Sequence, residues 1–239
     1  MLPAAVLLDL LEQKPFAVEY QPLISSHTFN IMGYEALARF HTMTGRALAP
    51  DAVFESLHNS PLSLFQLELA MKTLQIELAP QEGLLFLNLD PHAAQAWGEL
   101  SINNPLIKAL CKRENTVIEL IENTSISDAQ LCAQLTQTLK TEGTLLALDD
   151  VGAANSMLSF QVLEAVDIIK LDKNWAQRLN NHKAVHLLKS IISYAKNTHK
   201  LTVLEGVETA EQARNARNIG VDYLQGYLFK PQFIYENKQ

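Results

Sequence analysis

Two adjacent carboxylates, Asp149 and Asp150, directly follow the apolar run from Leu145 to Leu148. A buried strand that ends on paired acids places two like charges side by side, and ionising both is costly unless a cation lies between them. Carboxylate oxygens are the ligands that divalent cations such as Mg²⁺ take in proteins. The pair therefore predicts a metal site at the end of this strand.

Polar residues also fall in or near the ends of the other predicted strands. They are Glu35, Asn88, Glu119, Glu122, Lys170, Asp172, Glu205 and Gln225. A single acid after a strand is readily explained as the cap of the next helix. Capping does not explain why Glu, Asn, Lys and Gln all occur after consecutive strands. In a barrel of parallel strands, however, these positions lie on one rim, which is where such enzymes have their active sites. The pattern favours one common site.

The residue types in this set indicate its chemistry. Several carboxylates and one amide, without His or Cys, form an oxygen-donor set that suits Mg²⁺ or Mn²⁺ rather than zinc. Asp149 and Asp150 are placed to share a pair of ions, and such a centre activates water for displacement at a phosphoester. Lys170 is interpreted either as a group that orients this water or as a structural ion-pair partner. Glu205 is a metal ligand, a general base, or both.

Short apolar runs alternate with segments of helical period along the chain. We predict strands near 16–21, 31–38, 84–89, 117–121, 145–148, 168–171, 202–204 and 223–225, and helices near 50–57, 63–77, 128–141, 182–198 and 210–219. Eight strands in 239 residues favour an α/β fold, a TIM-like (β/α)8 barrel formed as a single domain over residues 1–239. Because only residues 23–30 separate the first two strands, we expect them to pair antiparallel, which makes the first strand antiparallel.

Composition excludes several classes of protein. The formal net charge of -7 argues against a nucleic-acid polymer as a partner. The apolar opening from Leu2 to Leu11 is interrupted by Asp9 and is too short to span a bilayer, so it is interpreted as an amphipathic helix. We therefore expect a cytoplasmic protein that does not insert into membranes. Trp97 and Trp175 are interpreted as surface or packing residues.

In their order and spacing, the motifs resemble those of the EAL-type cyclic di-GMP phosphodiesterases of bacteria. The eponymous triplet is Glu35-Ala36-Leu37, with Arg39 after it and Gln21 before it. The later motifs are Leu87-Asn88-Leu89-Asp90-Pro91, Ile118-Glu119-Leu120-Ile121-Glu122, Asp149-Asp150, Lys170-Leu171-Asp172, Glu205-Gly206-Val207-Glu208 and Gln225-Gly226-Tyr227. The resemblance extends from about Phe16 to Pro231, nearly the whole chain.

The resemblance implies a role for each matched residue. The metal ligands would be Glu35, Asn88, Glu119, Asp149, Asp150 and Glu205, with Lys170 assisting the nucleophilic water. The substrate groove would be shaped by Gln21, Leu37, Arg39, Asp172 and Gln225, and Glu122 would brace the loop after the fifth strand. The implied reaction is hydrolysis of cyclic di-GMP to linear pGpG with a pair of Mg²⁺ or Mn²⁺ ions. Family members commonly dimerise through elements near the fifth and sixth helices, which implies a homodimer.

The segment after the acid pair departs from the family pattern. Active relatives usually continue with Phe-Gly-Thr-Gly-Tyr-Ser-Ser, whereas this chain has Val151-Gly152-Ala153-Ala154-Asn155-Ser156-Met157. The second glycine, a residue that adopts positive φ at low cost, is lost, and so is the threonine hydroxyl. We therefore predict metal binding, with turnover that is attenuated or controlled by dimerisation or by a regulatory protein partner. The alternatives are a non-hydrolysing cyclic di-GMP receptor, a protein-interaction module of the same fold and, more distantly, a barrel enzyme acting on another phosphoester.

Overall fold

The strands and helices alternate along most of the chain, as the sequence predicts. The computed structural model describes residues 2–121, 126–154 and 158–237. Its strands are β1 (Phe16–Ser25), β2 (Ile31–His41), β3 (Ala47–Leu48), β4 (Leu84–Asn88), β5 (Thr116–Ile121), β6 (Leu145–Val151), β7 (Ile168–Leu171), β8 (Leu201–Leu204), β9 (Tyr223–Leu224) and β10 (Ile234–Asn237). Its helices are α1 (Ala4–Glu12), α2 (Pro50–Leu57), α3 (Pro61–Glu77), α4 (Pro91–Gln95), α5 (Pro105–Leu110), α6 (Ile126–Thr141), α7 (Phe160–Ala165), α8 (Asn174–Gln177), α9 (His182–Asn197) and α10 (Ala210–Ile219), with a 3-10 helix at Tyr227–Gln232.

Eight of the strands close into a barrel. Strands β2, β4, β5, β6, β7, β8 and β9 lie side by side in that order, and each pairs parallel with the next. Strand β1 lies between β2 and β9 and is antiparallel to both, so Gln21 lies opposite Glu35, and Ile24 opposite Leu224. The predicted TIM-like (β/α)8 barrel with an antiparallel first strand is therefore confirmed. Strands β3 and β10 extend the sheet beyond the barrel by pairing with β2 and β1.

The parallel strands are buried on both faces, which explains their nearly continuous apolar sequences. One large cluster of apolar side chains fills the space between strands and helices. A second, small cluster consists of Leu23, Phe86, Val117, Ala147, Ile168 and Val203, one from each of six barrel strands. Side chains two positions apart on a strand lie on the same face. For each of these six residues, one of the residues two positions away is a polar residue of the predicted site.

The helices begin and end at recognisable signals. Helix α10 starts at a capping box, in which the Thr209 side chain accepts from the Gln212 backbone and the Gln212 side chain accepts from the Thr209 backbone. It ends at Gly220, whose φ of 100° is left-handed. The predicted helix at 50–57 coincides with α2. Within the described residues, no helix is long and apolar enough to cross a membrane.

Candidate active site

Lys170 lies at the centre of the predicted site. It projects from β7, its side chain is fully buried, and four carboxylates surround its Nζ. The nearest oxygens are those of Glu119 at 2.6 Å, Glu205 at 2.8 Å, Asp149 at 2.9 Å and Glu35 at 3.4 Å. These groups come from β2, β5, β6, β7 and the end of β8, so one cation joins side chains from five of the barrel strands.

The charges in this cluster determine one another's protonation. Burial alone would lower the pKa of Lys170, but the four carboxylates outweigh it and raise that pKa well above its usual value. Burial and the nearby charges of Glu35 and Asp149 raise the pKa of Glu119. Burial, together with Asp149, likewise raises the pKa of Glu205, against the opposing effect of Lys170. Lys170 is therefore a permanent cation among acids that do not all ionise easily.

Glu35 is held by amide side chains from both sides of β2. The Asn88 amide donates to Glu35 Oε1 at 2.9 Å, and the Gln225 amide donates to Glu35 Oε2 at 2.5 Å. Burial raises the pKa of Glu35, but Lys170 and these hydrogen bonds outweigh it, so the pKa is lowered overall. Lys170 and the two amides therefore favour the ionised form of Glu35.

The acid pair has a different environment. Asp149 is buried, and Asp150 follows it with a φ of 55°, in the left-handed region that non-glycine residues rarely adopt. Ligand atoms of Asp149, Asp150 and Glu205 all lie within 4.8 Å of one another. Within the part of the chain that the structure describes, the Asp150 carboxylate has no hydrogen bond and no ion pair. Burial and the charge of Asp149 raise its pKa to about 6.

The predicted substrate residues lie around this centre. Leu37 and Arg39 line a cavity of about 630 Å³ between β2, α2 and α3, whose far wall includes Asn88, Asp149 and Asp150. Gln21 and Gln225 line a second cavity of about 410 Å³, with Glu205 and Tyr227. Asp149 borders both cavities. Asp172 is buried, and its Oδ1 accepts from the Asn174 backbone at 2.9 Å.

Two residues near the site were not singled out by sequence. Glu19 Oε1 accepts from Arg39 and from Gln21, both at 2.8 Å, and so links the two predicted substrate-binding side chains. The signal was available, because Glu19 lies two residues before Gln21 and therefore on the same face of β1. The other is Trp175, which contacts the backbone after the acid pair. Glu122, the predicted loop brace, lies outside the described residues.

The EAL domain family matches residues 4–232, and the chain therefore belongs to this family. Its fold is the one that EAL domains share. The crystal structure of the FimX EAL domain from Pseudomonas aeruginosa bound to c-di-GMP is 26% identical, with a TM-score of 0.78, and the match covers 93% of each chain.

Curated relatives are longer than this chain. The probable cyclic di-GMP phosphodiesterase PdeN of Escherichia coli K12 is 28% identical over 236 residues, which is 95% of this chain but 45% of that protein. The cyclic di-GMP phosphodiesterase PdeL of the same organism is 29% identical over 238 residues, which is 96% of this chain and 65% of that protein. The chain thus spans less than two thirds of either relative.

Proposed function

We propose that this chain is a phosphodiesterase that hydrolyses cyclic di-GMP to linear pGpG and depends on Mg²⁺ or Mn²⁺. The observation that carries the proposal is the convergence of Asp149, Asp150 and Glu205 beside the buried Lys170, at the boundary of two cavities. The names of PdeN and PdeL support the choice of substrate.

The residues present fit a divalent-metal centre. Both oxygens of Glu119 are buried, and within the described residues Oε2 has neither a hydrogen bond nor an ion pair. The described residues likewise provide no ion pair for the Asp150 carboxylate, and an oxygen-only donor set is what Mg²⁺ and Mn²⁺ prefer. The proposed ligands are Glu35, Asn88, Glu119, Asp149, Asp150 and Glu205. When bound, the ions would acidify water and neutralise charge on the phosphate.

The protein's own groups would then act on the water and the phosphate. Lys170 keeps its proton, so it can donate a hydrogen bond that orients the water or stabilises charge growing on a phosphate oxygen. Glu205 has a raised pKa and is therefore suited to accept the proton that the attacking water releases. Lys170 Nζ lies 2.8 Å from Glu205 Oε1, so the hydrogen-bond donor and the proton acceptor are adjacent.

The two cavities match a dinucleotide substrate. A phosphodiester placed at Asp149 leaves one nucleoside for the cavity with Leu37 and Arg39 and the other for the cavity with Gln21 and Gln225. The guanidinium of Arg39 is suited to a phosphate because its donors form a fork. We keep Asp172 as a proposed substrate-groove residue on the family resemblance.

The assay for this function is production of pGpG from cyclic di-GMP with Mn²⁺. A variant with Asp149→Asn and Asp150→Asn is the matched control, since it keeps the shape of both side chains and removes their charge. No pGpG above this control would contradict the proposal. If calorimetry then showed binding of cyclic di-GMP without turnover, a receptor would be favoured. The small side chains of Gly152, Ala153 and Ala154 support this second candidate. If no nucleotide bound, a protein-interaction module would be favoured.

We further propose that the chain acts as a single domain and forms a homodimer in the cytoplasm. Support for self-association comes from Phe160 and Leu187, which are 73% and 56% exposed. Leu158 is also exposed, and with Phe160 it borders an apolar cavity of about 290 Å³ against α9. Sedimentation of Phe160→Ser as a monomer under conditions where the wild type sediments as a dimer would support this. Control by a regulatory protein remains a prediction from the rewritten loop.

A further inference from the structure

The backbone that carries the acid pair has incomplete strand pairing. The pairing of β6 with β7 is irregular between Leu148 and Val151 and skips Asp149 and Asp150, whereas Asp149 still pairs with Ile121 of β5. The next residues, Val151 to Ala154, have no polar side-chain atom with which to fasten themselves. Asp150 nevertheless holds a left-handed conformation, which persists only where the surroundings impose it.

Trp175 supplies a support from outside the strand. It lies in the short helix α8, it is 5% exposed, and its indole Nε1–H donates to the carbonyl oxygen of Val151 at 2.8 Å. This carbonyl belongs to the residue directly after Asp150. The Asp172 backbone N–H also approaches the same oxygen, at 3.3 Å. The indole therefore fixes the chain at the point where the irregular stretch ends.

Gly152 is shaped to fit this indole. Its φ is 90°, and a Cβ added there would lie 2.4 Å from Trp175 Nε1 and 2.8 Å from two of the ring carbons. Any larger residue at 152 would displace the ring or the backbone. The contact between Gly152 and the ring is thus a second constraint on the same segment, independent of the hydrogen bond.

Trp175 is itself held in place from several directions. The Asp172 carboxylate accepts from the Asn174 backbone at 2.9 Å and so fixes the start of α8. Gln212 of α10 donates to the Ala176 carbonyl at 3.3 Å. The Arg178 guanidinium lies 5.4 Å from the centre of the indole ring. An indole held in this way can fix the position of the backbone that it contacts.

We propose that Trp175 is a positioning residue for the metal centre. Through the Val151 carbonyl and the Gly152 backbone, Trp175 holds Asp149 and Asp150 in the arrangement that binds the ions. The proposal rests on the proposed function, because it concerns the same acids. It assigns a role to a packing residue that contacts the segment after the acid pair.

The direct test is Mn²⁺ binding measured by calorimetry on Trp175→Phe. Phenylalanine keeps an aromatic ring but has no N–H to donate, and we expect the dissociation constant for Mn²⁺ to rise about tenfold, as for other partners that orient metal ligands. The matched control is Trp97→Phe, which makes the same change at a 50% exposed ring stacked on Phe65. Its Mn²⁺ affinity should equal that of the wild type.

A second pair of variants tests the same contact without changing the tryptophan. Gly152→Ala should also weaken Mn²⁺ binding, whereas Gly143→Ala should not, since Gly143 has a comparable φ of 76° but open space around its Cα. This pair decides the question if Trp175→Phe does not fold. In the hydrolysis assay, Trp175→Phe should lower kcat at fixed Mn²⁺ and leave KM for cyclic di-GMP near the wild-type value.

Unchanged Mn²⁺ affinity in folded Trp175→Phe, or in Gly152→Ala where that variant decides, would overturn the inference. A wild type that binds Mn²⁺ but forms no pGpG would overturn the proposed function only, because the variants would still differ in metal affinity. A wild type that binds no Mn²⁺ would overturn both.

Discussion

The surroundings of Lys170 and those of Asp150 satisfy their charges in opposite ways. Around Lys170, one buried cation contacts four carboxylates within 3.4 Å, and Glu35 also receives amide hydrogen bonds. Around Asp150, the described residues provide no ion pair for the carboxylate, and the backbone has a φ of 55°. The first region has its cation within the chain, whereas the proposed function supplies the second with a metal ion.

The two regions should respond differently when a charge is removed. Removing a partner from the first region should damage the fold itself, because buried charges would be left without compensation. Removing a charge from the second region should relieve repulsion in the metal-free protein and weaken the response to added metal. We therefore expect removal of the charge of Lys170 to reduce stability more than removal of the charge of Asp150.

Lys170→Met should have the largest effect on stability. It leaves buried Glu119, Asp149 and Glu205 without their cation, and we expect a loss of about 3–5 kcal/mol in the free energy of unfolding by urea. Lys140→Met is the control, because Lys140 pairs with Asp167 at the surface and its side chain is 35% exposed. That loss should stay below about 1 kcal/mol. Equal losses would mean that the Lys170 cluster does not hold the barrel together.

Metal binding should stabilise the wild type more than a variant of the acid pair. Mn²⁺ at about 100 times its dissociation constant should raise the free energy of unfolding by about 2.7 kcal/mol. In Asp150→Asn the same Mn²⁺ concentration should give a clearly smaller increase. Thermal denaturation with and without EDTA measures both values. If the two proteins gained equally, Asp150 would not be a ligand.

The pH dependence of the metal-free protein should isolate Asp150. Its pKa is raised from 3.8 to about 6, mainly by burial and by Asp149, so the folded state binds the proton more tightly than the unfolded state. Ionisation therefore costs stability as the pH rises through about 4 to about 6. Across this range, wild type should lose stability relative to Asp150→Asn. A constant difference between the two urea unfolding curves would contradict this.

Glu19→Gln should produce the smallest change. The variant weakens the ion pair with Arg39 and the hydrogen bond from Gln21, both of which lie partly exposed. We expect KM for cyclic di-GMP to rise about threefold, since an exposed pair contributes below about 1 kcal/mol. Mn²⁺ affinity should not change, because neither region of the metal centre contacts Glu19. A change in Mn²⁺ affinity would show that the substrate side and the metal side are coupled.

The sequence predicted the barrel well because its apolar strands alternate with segments of helical period. The eight barrel strands and the antiparallel β1 were all predicted. Strands β3 and β10 were missed because they lie outside the barrel and are largely exposed, so they lack the apolar run that marks the barrel strands. The helices α4, α5, α7 and α8 were missed because four to six residues carry little helical periodicity.

The sequence predicted which residues lie in the candidate site better than it predicted which of them contact one another. A period of two residues on each strand brings the polar rim residues to one face, so their convergence follows from the barrel alone. The contacts depend on the register between distant strands. This register decides which carboxylates contact Lys170 and allows Asn88 and Gln225 both to donate to Glu35. The support from Trp175 depends on the packing of α8 against the end of β6, which no local pattern encodes.

The reversed first strand has a consequence for the order of folding. Strand β1 is synthesised early, yet two of its three partners, β9 and β10, come last, and Ile24 pairs with Leu224. Contacts so distant in sequence form slowly. The hydrogen bond from Gln225 to Glu35 spans 190 positions and awaits the same event. We therefore expect a nascent chain to have no working site until β9 and Gln225 have been synthesised, and the capacity to bind Mn²⁺ to return only in the final phase of refolding.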